Sequence, residues 1–339
     1  MKPKVRTEHI EQPMKLIAKL LSHSKTVIIT THQNPDGDAI GSACGMYLAL
    51  KSIGKNVRII NVSPTPLNLQ FLPGAEKIEV YDATLHDDDI KKADMLMCLD
   101  FNTPKRVQAM EHSVRASNAT KVMIDHHTNP EDFYSAALHD VDATSTGELI
   151  YKFVASYYPQ VLDANIASNL YAALMTDSGN FRFPRVNPET HLIVSDLLQH
   201  GANPVDIYEQ IFNTSSMQRL HLLGMSLAGM ELFHEGKFCV MTITNSMFQQ
   251  TECNEDDTEG FVHNTLSITG VLCGLMIVEK HDTNEIKFSF RSKADIPANL
   301  MAAQFGGGGH LNAAGARVRN GNLQELKQQA IEAAGKYLL

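Results

Sequence analysis

Four short polar motifs, each following a run of apolar residues, constrain the fold of this 339-residue chain more than any other feature. They are Thr31–Asp38, Leu99–Asp100, Asp125–His127 and Thr176–Gly179. A short β-branched run that ends abruptly in acidic or imidazole side chains is typical of a buried parallel strand. Because the carboxyl ends of parallel strands meet at one edge of a sheet, the motifs predict a common polar pocket at that edge.

Strand and helix signals alternate through the first half of the chain. The predicted strands are Val27–Thr31, Val57–Val62, Met95–Leu99 and Lys121–Ile124. The first is followed by an Asn-Pro-Asp-Gly-Asp turn and a predicted helix from Ala39 to Ile53, and Ser145 with Glu148 predicts a capping box that opens another helix. The alternation predicts an α/β fold whose N-terminal sheet is mainly parallel and carries helices on both faces.

The rest of the chain changes from helices back to strands. The middle region reads as helical, and four strands are predicted after it, at Phe238–Thr244, Gly270–Glu279, Ile286–Phe290 and Ala316–Arg319. The second and third of these form a hairpin whose turn is His281–Asn284, and a closing helix is expected from Leu323 to Tyr337. We therefore expect a catalytic domain at 1–190, a helical linker at 191–215 and a smaller α/β domain with a mixed sheet at 216–339.

Composition narrows the classes of function. The formal net charge of −9 argues against non-specific binding to long duplex nucleic acid, which requires a basic face. The longest nearly apolar run, Gly270–Val278, is too short to span a membrane. No signal-peptide pattern follows Met1–Arg6. The chain has five cysteines and no Cys-x-x-Cys motif, which indicates that the cysteines are reduced thiols. We expect a cytoplasmic protein that does not associate with membranes.

The four motifs supply carboxylate and imidazole ligands without thiolates. In the first motif, Gly37 allows a tight backbone turn, so that Asp36 and Asp38 can face one point. This donor chemistry favours Mn²⁺ or Mg²⁺ over a structural Zn²⁺. Two such ions, about 3.5–4 Å apart, neutralise phosphoryl oxygens and lower the pKa of a water molecule, so a two-metal phosphoesterase site is our leading hypothesis.

A glycine-rich segment near the C-terminus, Gly306–His310, predicts an anion site of a different kind. Successive glycines expose backbone N–H groups and let an anion approach closely. Between Lys287 and Arg319 five basic residues stand against Asp295 alone. Such a basic patch on an acidic chain is a plausible seat for a phosphate.

Taken together, these motifs resemble those of the DHH phosphoesterase superfamily, whose signature stands here at Asp125–His127. The segment Phe305–His310, followed by Ala313–Gly315, looks like the DHHA1 substrate-binding domain of that superfamily. The resemblance covers nearly the whole chain and keeps the motifs in the family's order. Among the family's members, the length and architecture are most similar to those of the bacterial oligoribonucleases that also act as pAp phosphatases.

The resemblance implies a role for individual residues. One metal ion would be held by His32, Asp36 and Asp100, and the other by Asp38, Asp100, His126 and Asp177, so that Asp100 bridges the two ions. The catalytic group would comprise Asp100, His127 at the scissile phosphate and Asp125 as the residue that orients a ligand. Substrate would also be bound by Arg182, Arg291, Ser292, Gly307, Gly308, Gly309 and His310.

The activity that the resemblance implies is hydrolysis of short oligoribonucleotides to mononucleotides, of pAp to AMP and phosphate, or of both. Two Mn²⁺ ions are the expected cofactor, with Mg²⁺ or Co²⁺ as substitutes. The expected partners are short RNA, pAp or other small nucleotides. A cyclic- or linear-dinucleotide phosphodiesterase and a RecJ-like single-strand exonuclease remain alternatives, and the sequence leaves a homodimer open.

Overall fold

The structure is a computed structural model, and it describes residues 9–280 and 284–338. The chain divides into two compact units, Met1–Thr214 and Ser215–Leu339. The predicted domain limits, with a catalytic domain that ends at 190 and a linker that ends at 215, stay a prediction. Residues Met1–Arg6, where the sequence analysis looked for a signal peptide, lie outside the described residues.

The first unit is built on a six-stranded sheet in which all neighbouring strands run parallel. Its strands are β1 (Thr26–Thr30), β2 (Asn56–Asn61), β3 (Ile78–Val80), β4 (Met95–Leu99), β5 (Thr120–Asp125) and β6 (Ala136–His139). Their spatial order is β3-β2-β1-β4-β5-β6, so the order reverses between β1 and β4. In an open α/β sheet such a reversal leaves a crevice at the carboxyl ends of the two strands, where ligands bind.

Helices cover both faces of this sheet, as the sequence predicted. They are α1 (Glu11–His23), α2 (Gly37–Ser52), α3 (Ala83–Lys92), α4 (Glu111–Ala116), α5 (Thr146–Tyr157), α6 (Ala164–Asp177), α7 (Pro188–Gln199) and α8 (Pro204–Phe212). Successive side chains of β4 point to opposite faces. Met97 and Leu99 join the core cluster of α2, α5 and α6, whereas Leu96 and Cys98 join the cluster of α3 and α4. Because both faces are buried, β4 is apolar at every position.

The capping box predicted at the start of α5 forms only in part. The Ser145 hydroxyl accepts a hydrogen bond from the backbone N–H of Glu148 at 3.1 Å. The Glu148 carboxylate does not reach back to Ser145, because it accepts bonds from the backbone N–H and the hydroxyl of Thr144, at 3.1 and 2.6 Å. The helix therefore begins where the sequence predicted, with a different second bond.

Helices α2 and α6 pack so closely that glycine is required between them. A Cβ atom on Gly41 would lie 2.4 Å from the carbonyl oxygen of Asn169 and 3.1 Å from the Cβ of Ala173. A Cβ on Gly37 would lie 2.5 Å from the side chain of Thr176. The two helices therefore pack directly against each other from the first turn of α2, at the end of α6, to Gly41 beside the backbone of Asn169.

We expect Gly41→Ala to destabilise the first unit by about 1–3 kcal/mol, because the added methyl group overpacks a contact with a backbone oxygen. Urea unfolding would measure this change. Gly224 in the second unit is the matched control, because an added Cβ there would meet nothing within 4 Å. Since alanine is the better helix former, Gly224→Ala should stabilise its unit by roughly 0.5–1 kcal/mol. Equal effects of the two substitutions would contradict the packing argument.

The second unit contains a six-stranded mixed sheet. Its strands are β7 (Glu231–Phe233), β8 (Phe238–Ile243), β9 (Cys273–Lys280), β10 (Glu285–Ser292), β11 (Gly308–His310) and β12 (Ala313–Arg319), in the order β11-β12-β10-β9-β8-β7. Strands β8 and β9 pair in parallel and the other neighbours are antiparallel. The helices are α9 (Met217–Ala228), α10 (Asn245–Thr251), α11 (Ala298–Ala303) and α12 (Leu323–Leu338). The predicted mixed sheet is therefore confirmed.

Strand β10 divides an apolar face from a charged one. Phe288 and Phe290 are fully buried in the core, whereas Lys287 and Arg291 alternate with them and lie on the opposite face. The antiparallel pairing of β9 with β10 confirms the predicted hairpin, although residues 281–283 of its turn lie outside the described residues. In the described parts of the chain, the helices are too short or too polar to cross a membrane.

Candidate functional sites

The polar motifs of the first unit come together at the crevice between β1 and β4. His32 follows β1, Asp100 follows β4 and His126 follows β5. Asp36 is the N-cap of α2, and its Oδ1 accepts hydrogen bonds from the backbone N–H groups of Asp38 and Ala39, both at 3.1 Å. This cap directs the first turn of α2, which carries Asp38, towards the strand ends.

Seven side chains form three overlapping groups whose ligand atoms could hold a metal ion. The groups are Asp100, His126 and His127; His32, Asp36 and Asp100; and Asp38, His126 and Asp177. The Nε2 of His32 lies 3.3 Å from Oδ2 of Asp100. The Nε2 of His126 lies 3.3 Å from Oδ2 of Asp177 and 3.8 Å from Oδ2 of Asp38. Asp100 belongs to two of the groups and therefore stands at the centre of the site.

Backbone carbonyl groups orient the imidazole rings. The Nδ1 of His32 lies 2.8 Å from the carbonyl oxygen of Gln33, and the Nδ1 of His126 lies 3.2 Å from that of Ala143. When Nδ1 donates to a carbonyl, the tautomer leaves the lone pair on Nε2, which is the atom that faces the carboxylates. In that tautomer both rings would offer the Nε2 lone pair to a metal ion.

The electrostatics of the site suit a bound cation. Asp38 and Asp100 are buried, and burial first, then the charges of neighbouring aspartates, raises the pKa of each well above its usual range. Burial also raises the pKa of Asp177 to about 6. Among the described residues, none of these three carboxylates forms a salt bridge with a lysine or an arginine. Buried carboxylates that face one another without a basic partner fit a bound divalent ion.

The N-terminus of α5 supports the two buried carboxylates. Asp38 accepts hydrogen bonds from the backbone N–H groups of Thr146 and Gly147, at 2.7 and 2.9 Å, and from the Ser42 hydroxyl at 3.1 Å. The Thr146 hydroxyl donates to Oδ1 of Asp100 at 2.9 Å. These bonds fix the direction of both side chains and favour their charged forms.

We expect Thr146→Val to weaken metal binding by about 10–100-fold, because the hydroxyl that orients Asp100 is lost while the side-chain shape is kept. Calorimetric titration of metal-stripped protein would measure the affinity. Thr30→Val is the matched control, since the Thr30 hydroxyl is buried near the same strand ends and has no hydrogen-bond partner among the described residues. A weaker affinity in both variants would show that the effect does not come from the Thr146 bond.

His127 is held differently from the other histidines. Its Nδ1 lies 2.7 Å from Oδ1 of the buried Asp125. Burial acts to raise the pKa of Asp125, but the hydrogen bond from His127 and the charges of the two histidines leave that pKa lowered. Burial lowers the pKa of His127, and the positive charge of Arg106 acts in the same direction. Asp125 is therefore a charged carboxylate, and it orients the ring of His127.

Two arginines near this site were not predicted from the sequence. Arg106, six residues after Asp100, is close enough for its charge to act on His127. Arg185 brings a guanidinium nitrogen to 3.4 Å from Nδ1 of His126. Arg182, which was predicted to bind substrate, lies over the ring of Phe183 at 5.7 Å from its centroid. The only sequence signal for the two arginines was their short distance from the predicted ligands along the chain.

The glycine-rich segment of the second unit lines a cavity of about 540 Å³ together with Arg291, Lys287, Arg317 and Ser289. Burial lowers the pKa of the Arg291 guanidinium, and Arg291 forms no salt bridge among the described residues. One of its nitrogens donates to the carbonyl oxygen of Phe290 at 2.9 Å. A partly buried guanidinium that lines a cavity and has no paired carboxylate is a suitable site for an anion.

Close packing explains the glycines in this cavity. A Cβ on Gly307 would lie 2.1 Å from the carbonyl oxygen of Gly315, and one on Gly309, whose φ is 143°, would lie 2.6 Å from that of Ala313. Gly308 has open space instead. The segment can therefore lie directly against β12 and form the edge strand β11.

Two other predicted substrate residues have different surroundings. Ser292 is buried on the opposite face of β10 from Arg291, and its hydroxyl donates to the carbonyl oxygen of Ile296 at 2.6 Å. The structure therefore does not bring Ser292 to the cavity, whereas Ser289 does line it. His310 is the exposed last residue of β11.

Comparison with known proteins identifies two family domains. Residues 26–175 match the N-terminal domain of the DHH family and residues 235–338 match the DHHA1 domain. The bifunctional oligoribonuclease and PAP phosphatase NrnA of Thermus thermophilus is 30% identical over 335 residues, which cover 96% of this chain and 95% of that protein. NrnA of Bacillus subtilis is 24% identical over 304 residues, which cover 89% and 92%.

Among solved structures, an exopolyphosphatase-related protein from Bacteroides fragilis superposes with a TM-score of 0.93 at 35% identity, and the match covers 97% of each chain. The family domains, the full-length relatives and the assembled carboxylate and imidazole site agree with one another. The chain therefore belongs to the DHH family of phosphoesterases, carries a DHHA1 domain after its DHH domain, and is a hydrolase.

Proposed function

We propose that this protein hydrolyses short oligoribonucleotides to mononucleotides and pAp to AMP and phosphate, with two Mn²⁺ ions as its cofactor. The observation that carries the proposal is the set of three overlapping ligand groups, two of which share Asp100 and two of which share His126. The substrate class comes from the two NrnA relatives, which are named oligoribonucleases and PAP phosphatases and align along nearly their whole length.

The proposed ligand sets combine these groups, because Nε2 of His126 lies 3.7 Å from Oδ1 of Asp100 and His126 also belongs to the group of Asp38 and Asp177. In the proposal, His32, Asp36 and Asp100 hold one ion, while Asp38, Asp100, His126 and Asp177 hold the other. The donors are carboxylate oxygens and imidazole nitrogens, which suit Mn²⁺, with Mg²⁺ or Co²⁺ as substitutes. When bound, the ions supply positive charge that neutralises the phosphoryl oxygens and makes a water molecule acidic at neutral pH.

Residues of the first unit then position the phosphate. Asp125 holds the Nδ1 side of His127 at 2.7 Å, so the proposal assigns Nε2 of that ring to the scissile phosphoryl group. Arg106 and Arg185 add positive charge beside His127 and His126. Their contribution is to stabilise the negative charge that grows on phosphoryl oxygens during hydrolysis.

Residues of the second unit are proposed to bind a non-scissile phosphate. Arg291 presents a guanidinium to the cavity that Gly307, Gly308 and Gly309 line. A planar guanidinium with several fixed donors matches a phosphate better than an ammonium group does. One such site suits a short nucleotide with a terminal phosphate, and the net charge of −9 does not favour a long polyanion.

The test is a parallel assay of metal-stripped protein supplied with Mn²⁺. The substrates are pAp, a 5′-labelled RNA trimer, a 24-nucleotide RNA and a cyclic dinucleotide. Turnover of pAp and the trimer, with little on the 24-mer, is the expected result. Processive digestion of the 24-mer, or turnover of the cyclic dinucleotide alone, would contradict the proposed substrates.

A further inference from the structure

Glu255 forms an unusual contact beside the glycine-rich cavity. It begins a short 3₁₀ turn, Glu255–Thr258, and its side chain is 13% exposed. Its carboxylate lies 2.5 Å from Nζ of Lys280, 2.8 Å from Nζ of Lys287 and 2.7 Å from a guanidinium nitrogen of Arg317. One carboxylate therefore forms ion pairs with three basic side chains.

These contacts keep Glu255 charged. Burial acts to raise the pKa of Glu255, but hydrogen bonds from the three basic side chains outweigh it and lower the pKa to about 2. The carboxylate therefore carries a full negative charge at neutral pH.

Two of the three basic partners belong to the cavity. Lys287 and Arg317 line it, and they are directly opposite each other on β10 and β12. Like charges directly opposite on neighbouring strands repel each other unless an anion lies between them. Glu255 supplies that anion from within the chain.

Arg291 differs from these two residues. It lines the same cavity on the same face of β10, four residues after Lys287, but no carboxylate pairs with it in the described parts of the chain. The nearest acidic influence on Arg291 comes from Glu259, which also lines the cavity. The cavity thus contains three basic side chains. Glu255 contacts two of them, and its single negative charge offsets only part of their positive charge.

We propose that Glu255 is an internal counter-anion that sets how much negative charge the glycine-rich cavity accepts. Because it holds Lys287 and Arg317, Arg291 is the cation that meets an incoming phosphate, and the cavity is matched to a single phosphate group. Glu255 thereby determines specificity against ligands with several consecutive phosphates. The inference rests on the proposed function, because it takes this cavity as the place where the substrate's non-scissile phosphate binds.

A purely structural role for Glu255 makes a different prediction. The carboxylate also fastens the 3₁₀ turn to the sheet, so its loss would alter stability in either case. If Glu255 only held the turn in place, its replacement would weaken the binding of every ligand of the cavity to the same extent. If Glu255 sets how much negative charge the cavity accepts, its replacement strengthens the binding of a ligand in proportion to the number of negative charges on that ligand.

The experiment measures anion binding by calorimetry, with the full-length protein in chelator, so that turnover is not required. The probes are orthophosphate, pyrophosphate and tripolyphosphate. For Glu255→Gln, tripolyphosphate should bind about tenfold tighter than to the wild type and orthophosphate less than about threefold tighter, with the difference reduced by salt. Glu231→Gln is the matched control, because Glu231 pairs with Lys327 and does not line the cavity.

A second variant separates local geometry from net charge. Glu255→Asp keeps the charge, but its shorter side chain cannot contact all three basic groups, so we expect a smaller shift in the same direction. Unchanged preference among the three anions in both Glu255 variants would overturn the inference and leave the proposed function intact. Absence of orthophosphate binding to the wild type would overturn the inference and the proposed phosphate site of the second unit, but not the metal site on which the proposed function depends.

Discussion

Asp100→Asn is expected to reduce turnover of pAp on the order of 10³-fold or more and to abolish binding of the second metal ion. The reason is the position of Asp100, which belongs to two of the three ligand groups and would be shared by both ions. An amide carries no charge and is a weaker ligand for both ions. Metal content after loading with Mn²⁺, measured beside pAp turnover, would check both parts.

The same substitution should not lower stability in chelator. Burial and the neighbouring aspartates Asp36 and Asp177 raise the pKa of Asp100, so the charged carboxylate destabilises the metal-free fold. Asparagine removes that charge and keeps the shape, and active sites commonly trade stability for function in this way. Asp88→Asn, which removes an exposed partner of Lys92, is the control. Retained turnover, or a less stable apoprotein, would contradict the assignment.

Arg291→Gln is expected to raise KM for pAp and for short RNA by about 30–1,000-fold, with a much smaller change in kcat. The guanidinium is partly buried beside the glycine-rich segment, so its loss removes a charge-assisted contact that water cannot replace. Steady-state kinetics on both substrates would measure the change.

Two further variants sharpen the Arg291 prediction. Arg291→Lys keeps the charge but not the planar donors, so it should restore only part of the lost affinity. Arg319→Gln removes a cation from the adjacent strand β12, where Arg319 is 80% exposed and pairs with Glu285, and it should leave KM nearly unchanged. A similar rise in KM for Arg319→Gln and Arg291→Gln would indicate a general charge effect.

The sequence predicted the long buried strands and missed the short ones. Strands such as β4 are apolar at every position because both faces are covered, and this pattern is visible without a structure. Strands β3 and β6 have only three and four residues, and β11 consists of glycines and a histidine. These strands form because a neighbouring strand provides their hydrogen bonds, which no local pattern reveals.

The grouping of His32, Asp100 and His126 was predictable because strand ends collect at one edge of a parallel sheet. Asp177 differs from the prediction, because it ends helix α6 and does not follow a strand.

The supporting residues were not predictable, because their roles depend on tertiary packing. Thr146 reaches Asp100 across 46 positions of sequence, and Glu255 meets Arg317 across 62. Ser292 illustrates a simpler failure. It follows Arg291 directly, and adjacent residues of a strand point to opposite faces, so both could not serve one cavity.

The close packing of α2 against α6 has a consequence for how an ion is chosen. Asp36 and Asp38 stand at the beginning of α2, Asp177 ends α6, and Gly41 allows the two helices to touch along their backbones. Helices in such contact behave as one rigid body, because packed interiors resist deformation. The spacing between these carboxylates is therefore set when the chain folds. If these carboxylates hold metal ions as proposed, a scaffold whose helices cannot separate would favour some ionic radii over others before any ion arrives.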